Sequence, residues 1–297
     1  MRKKLIASQK YRGWKDYLSF PKGLSLKDYL PEIPSISEFS TGRTMGEDAD
    51  LMAAKFEIDR ESQDQYAMES HLAAAKAAKD GLLQDDILPV YSTQDASVLA
   101  DNGIRPDTTL PKLAKLKPAF IRPYGTVTAG NASFLTDGAA AVLLMSEKRC
   151  QNLQLSPLAW LIDEVFTAQN TEDSLLLGPA YAIGKLLKKL NIALTDIDVF
   201  EIHEAFAGQV LANLACLNSE SWCKTELGWE SAVGSIPREK LNTQGGSLSL
   251  GHPFGATGAR LVKTAARRLH QENGKRALIA ACAAGGQGHA LLLERDR

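Results

Sequence analysis

Cysteine is scarce in this sequence, four in 297 residues, and its charges cancel, 34 Lys and Arg against 35 Asp and Glu. So few cysteines in so long a chain exclude a disulfide framework. They read as free thiols in a reducing compartment, which leaves room for cysteine chemistry. The formal net charge of −1 removes the global basic field that would argue for nucleic acid. No window approaches the ~18 consecutive apolar residues that a membrane-spanning helix needs. The longest apolar stretches, around Ala139–Met145 and Ala277–Ala284, are strand-sized. What remains is 44% hydrophobic and 23% charged residues, the balance of a globular chain long enough for one large α/β domain or two ordinary ones.

The first fifteen residues carry six bases (Arg2, Lys3, Lys4, Lys10, Arg12, Lys15) and no acid. A solvated helix face is the preferred reading. A transit peptide, or a surface that meets anionic lipid or a partner protein, is the alternative. Prolines and glycines between 20 and 46 predict loop. From Asp48 to Lys79 apolar residues recur at three- and four-residue steps, which predicts helices, with Asp59 heading the second and Gly81 closing it. Residues 84–123 are polar and punctuated by proline. The run Asp137–Met145 reads as a buried strand. Beyond Ser156 strands and helices alternate: strand 159–167, helix 178–190, strand 198–202, helix 206–217. A glycine-rich loop at 245–258 then leads into a helix to about 272, and strands follow at 276–282 and 289–294. That is the rhythm of a layered α/β domain.

Three clusters carry candidate chemistry. In Glu201-Ile202-His203-Glu204-Ala205-Phe206 a histidine stands where a strand's C-terminal end meets a helix, the usual active edge of α/β sheets. Position 207 is Ala, so the second ligand of a zinc-binding HExxH is missing and no metal is expected. In Gly245–Gly258 five glycines surround His252 and Pro253. A plain tight turn needs glycines but no histidine, which favours function at His252. The loop fits neither a dinucleotide nor a P-loop fingerprint. In Ala281-Cys282-Ala283-Ala284-Gly285-Gly286-Gln287-Gly288-His289 an apolar strand delivers a cysteine into a turn whose backbone N–H groups could meet an oxyanion. Cys150, Cys216 and Cys223 read as packing. Two imidazoles and a thiol at strand ends suggest acyl or carbanion chemistry. A thiolate beside imidazole has a lowered pKa and serves as base or nucleophile.

HEAF at 203–206, GHPFGATGAR at 251–260 and CAAGGQG at 282–288 resemble the thiolases. So do SEFSTGRTMGEDAD at 37–50, KPAFIRPYGTVTAGNASFLTDGAAAVLLMSE at 117–147 and LLLGPAYA at 175–182. The resemblance covers nearly the whole chain. It is strongest to the β-subunit type of the fatty-acid-oxidation trifunctional complex, which carries HEAF and CAAGG where many thiolases carry NEAF and CxGGG. It implies an acyltransferase of fatty-acid β-oxidation, cleaving 3-ketoacyl-CoA with CoA to acetyl-CoA and a shortened acyl-CoA. Coenzyme A is then a substrate, and no cofactor is needed. By the same resemblance Cys282 is the acid/base cysteine at the α-carbon. His252 activates the nucleophilic thiol and donates to the thioester oxygen, and His203 stands where an asparagine usually holds a water. Ala284 and Gly285 lie at the backbone oxyanion hole, and Ser133, Ala129 and Phe206 contact CoA.

The resemblance also implies a thiolase-like layered α/β/α fold. Residues 1–150 would be a partial N-terminal domain, with 1–125 as its loop excursion and 126–150 as its closing strand region. Residues 151–297 would be the C-terminal domain. The nucleophilic cysteine of a thiolase sits earlier in the first domain, and no cysteine precedes Cys150. A truncated frame or one half of a split enzyme is therefore expected, with the strand around Ala139–Met145 lacking sheet neighbours. Implied partners are acyl-CoA and CoA, a second copy in a homodimer, a hydratase/dehydrogenase α subunit and an N-terminal thiolase fragment. Nucleic acid is not among them, and membrane contact would be at most peripheral. The compartment would be a bacterial cytoplasm or a mitochondrial matrix. Two alternatives stand beside this reading: a non-catalytic subunit that binds CoA esters or a partner, and a condensing enzyme of fatty-acid or polyketide synthesis. The CAAGG turn speaks against the second.

Overall fold

Strand alternation sorts the C-terminal half into layers. In the computed structural model, which describes residues 12–15, 37–91 and 97–296, β3 (Trp160–Ala168), β4 (Val199–Ile202), β5 (Arg276–Ala283) and β6 (Gln287–Glu294) form a sheet in the order β3-β6-β5-β4. The pair β4/β5 is parallel, and β5/β6 and β3/β6 are antiparallel. Successive side chains of a strand face opposite ways. Phe200, Ile202, Leu278, Ala280, Ala290 and Leu292 therefore enter one core, and Val199, Ala277, Ile279, Leu291 and Leu293 another.

Helices cover both faces. Helix α5 (Gly178–Leu190) packs on β3, β5 and β6 and sends Ile183, Leu186 and Leu187 into the first core. Pro179 at its start and left-handed Asn191 at its end fix its limits. Helix α8 (Thr257–Gln271) covers the other face with Leu261, Ala265 and Leu269, spaced to share one stripe. Arg268 on that stripe pairs with Glu201 of β4 at 2.8 Å, both side chains fully buried. It also donates to the backbone oxygens of Phe200 and Lys240, so it bolts helix to sheet.

Three further helices extend the first core. Helix α1 (Met45–Lys55) starts at a capping box between Thr44 and Glu47, and α2 (Arg60–Lys79) starts at Asp59, which accepts the Ser62 N–H at 2.7 Å. Both pack on α6 (Ala207–Asn218), and Ala49, Met52, Tyr66 and Ala67 join the core of Val210 and Leu217. Gly81 takes φ +76° after α2, as a C′ glycine does. The polar stretch 84–123 carries a two-residue pairing of β1 (Val90–Tyr91) with β2 (Ser97–Val98) and a single helical turn, α3 (Leu110–Leu113); the short helices α4 (Glu147–Asn152) and α7 (Ser247–Leu250) precede β3 and α8.

The buried strand expected over 137–145 is not formed. Residues 137–144 are exposed and without regular structure, with Leu143 81% and Leu144 68% accessible. The apolar content suits a strand, but a strand's N–H and C=O groups need a neighbouring ladder, and none pairs with this segment among the described residues. The basic run at 2–10 and the first part of the expected loop, 20–36, lie outside the described residues.

Candidate active site

Parallel pairing sets the site's edge. Ile202, last in β4, is opposite Ala280 of β5, and the next N–H, that of His203, donates to the Ala280 carbonyl at 2.9 Å. His203 and Cys282 thus stand at the same end of neighbouring strands. Cys282 has the parity of Leu278 and Ala280 and packs on the first core. His252 arrives from the loop before α8. Gly251 takes φ +90°, and a side chain there would collide with Thr136. Glycine is required to bring the histidine in at that point.

The imidazoles of His203 and His252 lie 4.1 Å apart, centroid to centroid, tilted by 40°. His252 Nδ1 is 2.7 Å from Thr257 Oγ1, and the His252 N–H donates to Thr136 Oγ1 at 3.2 Å. His203 Nδ1 is 3.0 Å from Ser247 Oγ. Burial holds His203 well below the ordinary imidazole range, helped by His252 and by the Arg260 guanidinium. Burial also lowers His252 to about 4, with Arg260 as the second cause. Both rings are neutral at physiological pH.

The thiol behaves differently from the sequence expectation. Burial pushes Cys282 up to about 12, the opposite of the lowering a hydrogen-bonded imidazole would give. Its sulfur bonds to neither histidine among the described residues. At rest Cys282 is a protonated thiol, able to give a proton. The turn beyond it exposes Ala284, whose φ is not left-handed, while Gly285 and Gly286 take φ +82° and +64°. The Gly285 N–H is already engaged, donating to Glu38 Oε2 at 2.8 Å. Of the two backbone donors expected here, the Ala284 N–H is the one that bonds to none of the described residues.

Beside the His252 loop lies a cavity of about 710 Å³, lined by His71, Arg105, Ala129, Phe134, Thr136 and Leu248 among others. Ala129 is in its wall. Ser133 and Phe206 are not lining residues. The Ser133 N–H donates to the Ala205 carbonyl, and Phe206, 8% exposed, meets the Phe120 ring edge-on and pairs through its backbone with Ala132.

Sequence reasoning missed the groups that brace the histidines. Glu204 accepts from Tyr66 Oη at 2.9 Å, Asn242 Nδ2 at 2.7 Å, Ser70 Oγ at 2.8 Å and the Leu248 N–H at 3.3 Å. It knots α2 to both histidine-bearing loops. Gly246 must lack a side chain, because a Cβ there would overlap the Glu204 carboxylate. Arg260 donates to Ser247 Oγ at 3.2 Å from the first turn of α8. A cation at a helix N-terminus opposes the helix dipole, a signal that was readable from the sequence.

Residues 20–148 match the family model for the thiolase N-terminal domain, and residues 155–295 match that for the thiolase C-terminal domain. The chain belongs to the thiolase family. It is 52% identical over 294 residues to the mitochondrial trifunctional enzyme subunit beta of Bos taurus, covering 99% of this chain and 62% of that protein. It is 44% identical over 293 residues to a 3-ketoacyl-CoA thiolase of Photobacterium profundum, covering 98% and 67%. The human mitochondrial 3-ketoacyl-CoA thiolase in complex with CoA superposes with TM-score 0.75 at 32% identity, over 88% of this chain and 61% of that one. This chain therefore spans 62% of the length of the bovine relative. Its layered α/β/α architecture is that of these thiolases. No described helix is long and apolar enough to cross a membrane.

Proposed function

We propose that this chain carries the acid/base half of a 3-ketoacyl-CoA thiolase of fatty-acid β-oxidation. The observation that carries the reading is the contact of His203 with His252 at the strand edge that also bears Cys282. In the forward reaction a cysteine thiol from outside this sequence passes its proton to His252 and attacks the 3-keto carbonyl. The C2–C3 bond breaks, and its electron pair passes to C2 as the enolate of acetyl-CoA. Cys282 gives its proton to C2, releasing acetyl-CoA and leaving Cys282 as thiolate. That thiolate then takes the proton of incoming CoA, whose sulfur attacks the acyl-enzyme and displaces the nucleophilic cysteine, which recovers its proton from His252. A thiol held protonated by burial suits the first proton transfer.

In this reading His252, His203 and the Ala284 N–H face the developing oxyanions, while Gly285 shapes the turn. The 710 Å³ cavity with Ala129 in its wall takes the pantetheine arm, with Ser133 and Phe206 behind the wall, joined to it through the Ala132–Phe206 backbone pairing and the Ser133 N–H bond to Ala205. Residues 1–150 form the partial first domain and 151–297 the second. The working assembly is a thiolase homodimer completed by the N-terminal segment and bound to a hydratase/dehydrogenase α subunit. It sits in a mitochondrial matrix or a bacterial cytoplasm, as the names of the bovine and Photobacterium relatives suggest.

The test is thiolysis of a 3-ketoacyl-CoA by the purified chain, alone and with an N-terminal thiolase fragment. Turnover in the pair, lowered about 10²–10⁴-fold by Cys282→Ser, is the expected result. No turnover in the pair, with Cys282→Ser indistinguishable from the parent, overturns it. The Gly285 N–H, already taken by the Glu38 carboxylate, favours a second reading, a subunit that binds CoA esters without cleaving them. Saturable acyl-CoA binding with no thiolysis in the reconstituted pair would select it.

A further inference from the structure

Neutral imidazole has two forms, and they do opposite work. With the proton on Nδ1, Nε2 is a base. With the proton on Nε2, that edge is a donor. Three side chains settle which form His203 takes. Arg260 has only donors, so its contact with Ser247 Oγ at 3.2 Å makes the serine oxygen the acceptor. Ser247 is fully buried, and among the described residues its hydroxyl proton has one other polar neighbour, His203 Nδ1 at 3.0 Å. Were Nδ1 itself protonated, it would donate to Ser247 Oγ, and the serine proton would be left buried with no acceptor, which is unfavourable. A doubly protonated ring would meet the same conflict and would also place its charge near the Arg260 guanidinium.

We infer that Arg260, acting through Ser247, fixes His203 as the neutral imidazole protonated on Nε2, so that this ring serves the site as a hydrogen-bond donor and never as its base. Ser247 and Arg260 are positioning residues in this scheme. Arg260 is suited to it. Its Nε and Nη1 are buried without hydrogen-bond partners among the described residues, so Ser247 is the only recorded hydrogen-bond acceptor of its head group. The ring's Nε2 has no protein partner among the described residues and remains for a ligand. The inference deepens the thiolase reading: it assigns the oxyanion-donor role to His203 and leaves proton abstraction to His252.

The experiment is long-range ¹H–¹⁵N correlation spectroscopy of the histidine rings in the full chain at neutral pH. The chain has five histidines, and His203→Gln identifies the signal of interest. His203 should show an unprotonated Nδ1 and a protonated Nε2 as a single form. In Ser247→Ala the pattern should collapse to a mixture of both tautomers, a change that a merely structural serine would not produce. A wild-type ring protonated on Nδ1, or a Ser247→Ala chain with the tautomer unchanged, overturns the inference. The wild-type spectrum decides even if the variant does not fold. The tautomer is read without turnover, so its failure leaves the thiolase reading intact. Conversely, the expected tautomer in a chain that never supports thiolysis would fail only that reading.

Discussion

Glu38 and Gly285 lie 247 residues apart in sequence and share a hydrogen bond of 2.8 Å, the glycine N–H donating to the carboxylate. The same carboxylate receives the Ser40 N–H and hydroxyl. The turn that follows Cys282 is thereby tied to the segment that leads into α1.

Loss of that tie should be visible at the turn. Glu38→Ala is expected to speed amide exchange at Gly285 while leaving exchange in α5 and α8 unchanged. The tie should also respond to acid. The Gly285 N–H, and then Ser40, hold the Glu38 carboxyl below its ordinary value of 4.5. A carboxylate with a lowered folded pKa contributes fully above 4.5, and that contribution is lost as pH falls through the lowered value. Gly285 exchange, corrected for its intrinsic pH dependence, should therefore rise only below 4.5 in the parent and stay flat in Glu38→Ala. A parent curve that rises near neutrality would refute the role of the carboxylate.

His252 should remain neutral far into acid. Its folded value near 4 lies below the ordinary 6.5 because the ring is buried and faces Arg260. The unfolded chain binds a proton as pH drops below 6.5 while the folded chain does not. Stability from this site is complete above 6.5 and declines between 6.5 and 4. The ring's proton resonances should titrate with a midpoint near 4, and His252→Gln should flatten the decline. A midpoint at 6 or above would contradict the buried placement.

Cys282 should resist alkylation. With its thiol pushed to about 12, the thiolate fraction at pH 8 is roughly 10⁻⁴. Iodoacetamide should label it at least about 100-fold more slowly than a free thiol of ordinary pKa. Cys216, buried and also raised to about 12, should be equally slow. Peptide mapping after a timed exposure reads both, and rapid modification of Cys282 would show that its sulfur is not held as described.

Arg268 should be the costliest single surface to remove between α8 and the sheet. Arg268→Leu strips Glu201 of its 2.8 Å partner and leaves a fully buried carboxylate unpaired. The expected loss is about 3–5 kcal/mol in urea unfolding. A double variant, Arg268→Leu with Glu201→Leu, should recover most of it, because no charge is then left buried. A loss below about 1 kcal/mol for the single change would place the pair in effective contact with water.

Much of the architecture was legible from period alone. The short apolar runs near 199–202, 277–280 and 290–293 mark strands, and the three- and four-residue spacing over 48–79 marks two helices, with Asp59 at the start of the second. His203, His252 and Cys282 were readable because each interrupts a pattern that packing alone would satisfy: a histidine at a strand end, a histidine among glycines, a thiol at the entrance to a glycine turn. The braces were not. Ser247 and Glu204 look like ordinary loop and helix-start residues, and only the fold brings Ser70, Tyr66 and Asn242 to Glu204. The run at 137–145 misled in the other direction, because its composition fits a strand while strand formation depends on a neighbour.

The order of residues by itself marked the main helices, the four strands of the large sheet and the family to which the chain belongs, since these follow from local spacing and from motifs contiguous in sequence. The tertiary structure alone decided that His203 rests on His252, that Arg260 reaches it through Ser247, and that Glu38 holds the Cys282 turn. Those are hydrogen bonds and ring contacts between segments tens to hundreds of residues apart, and their energy exists only once the chain has closed the loops between them.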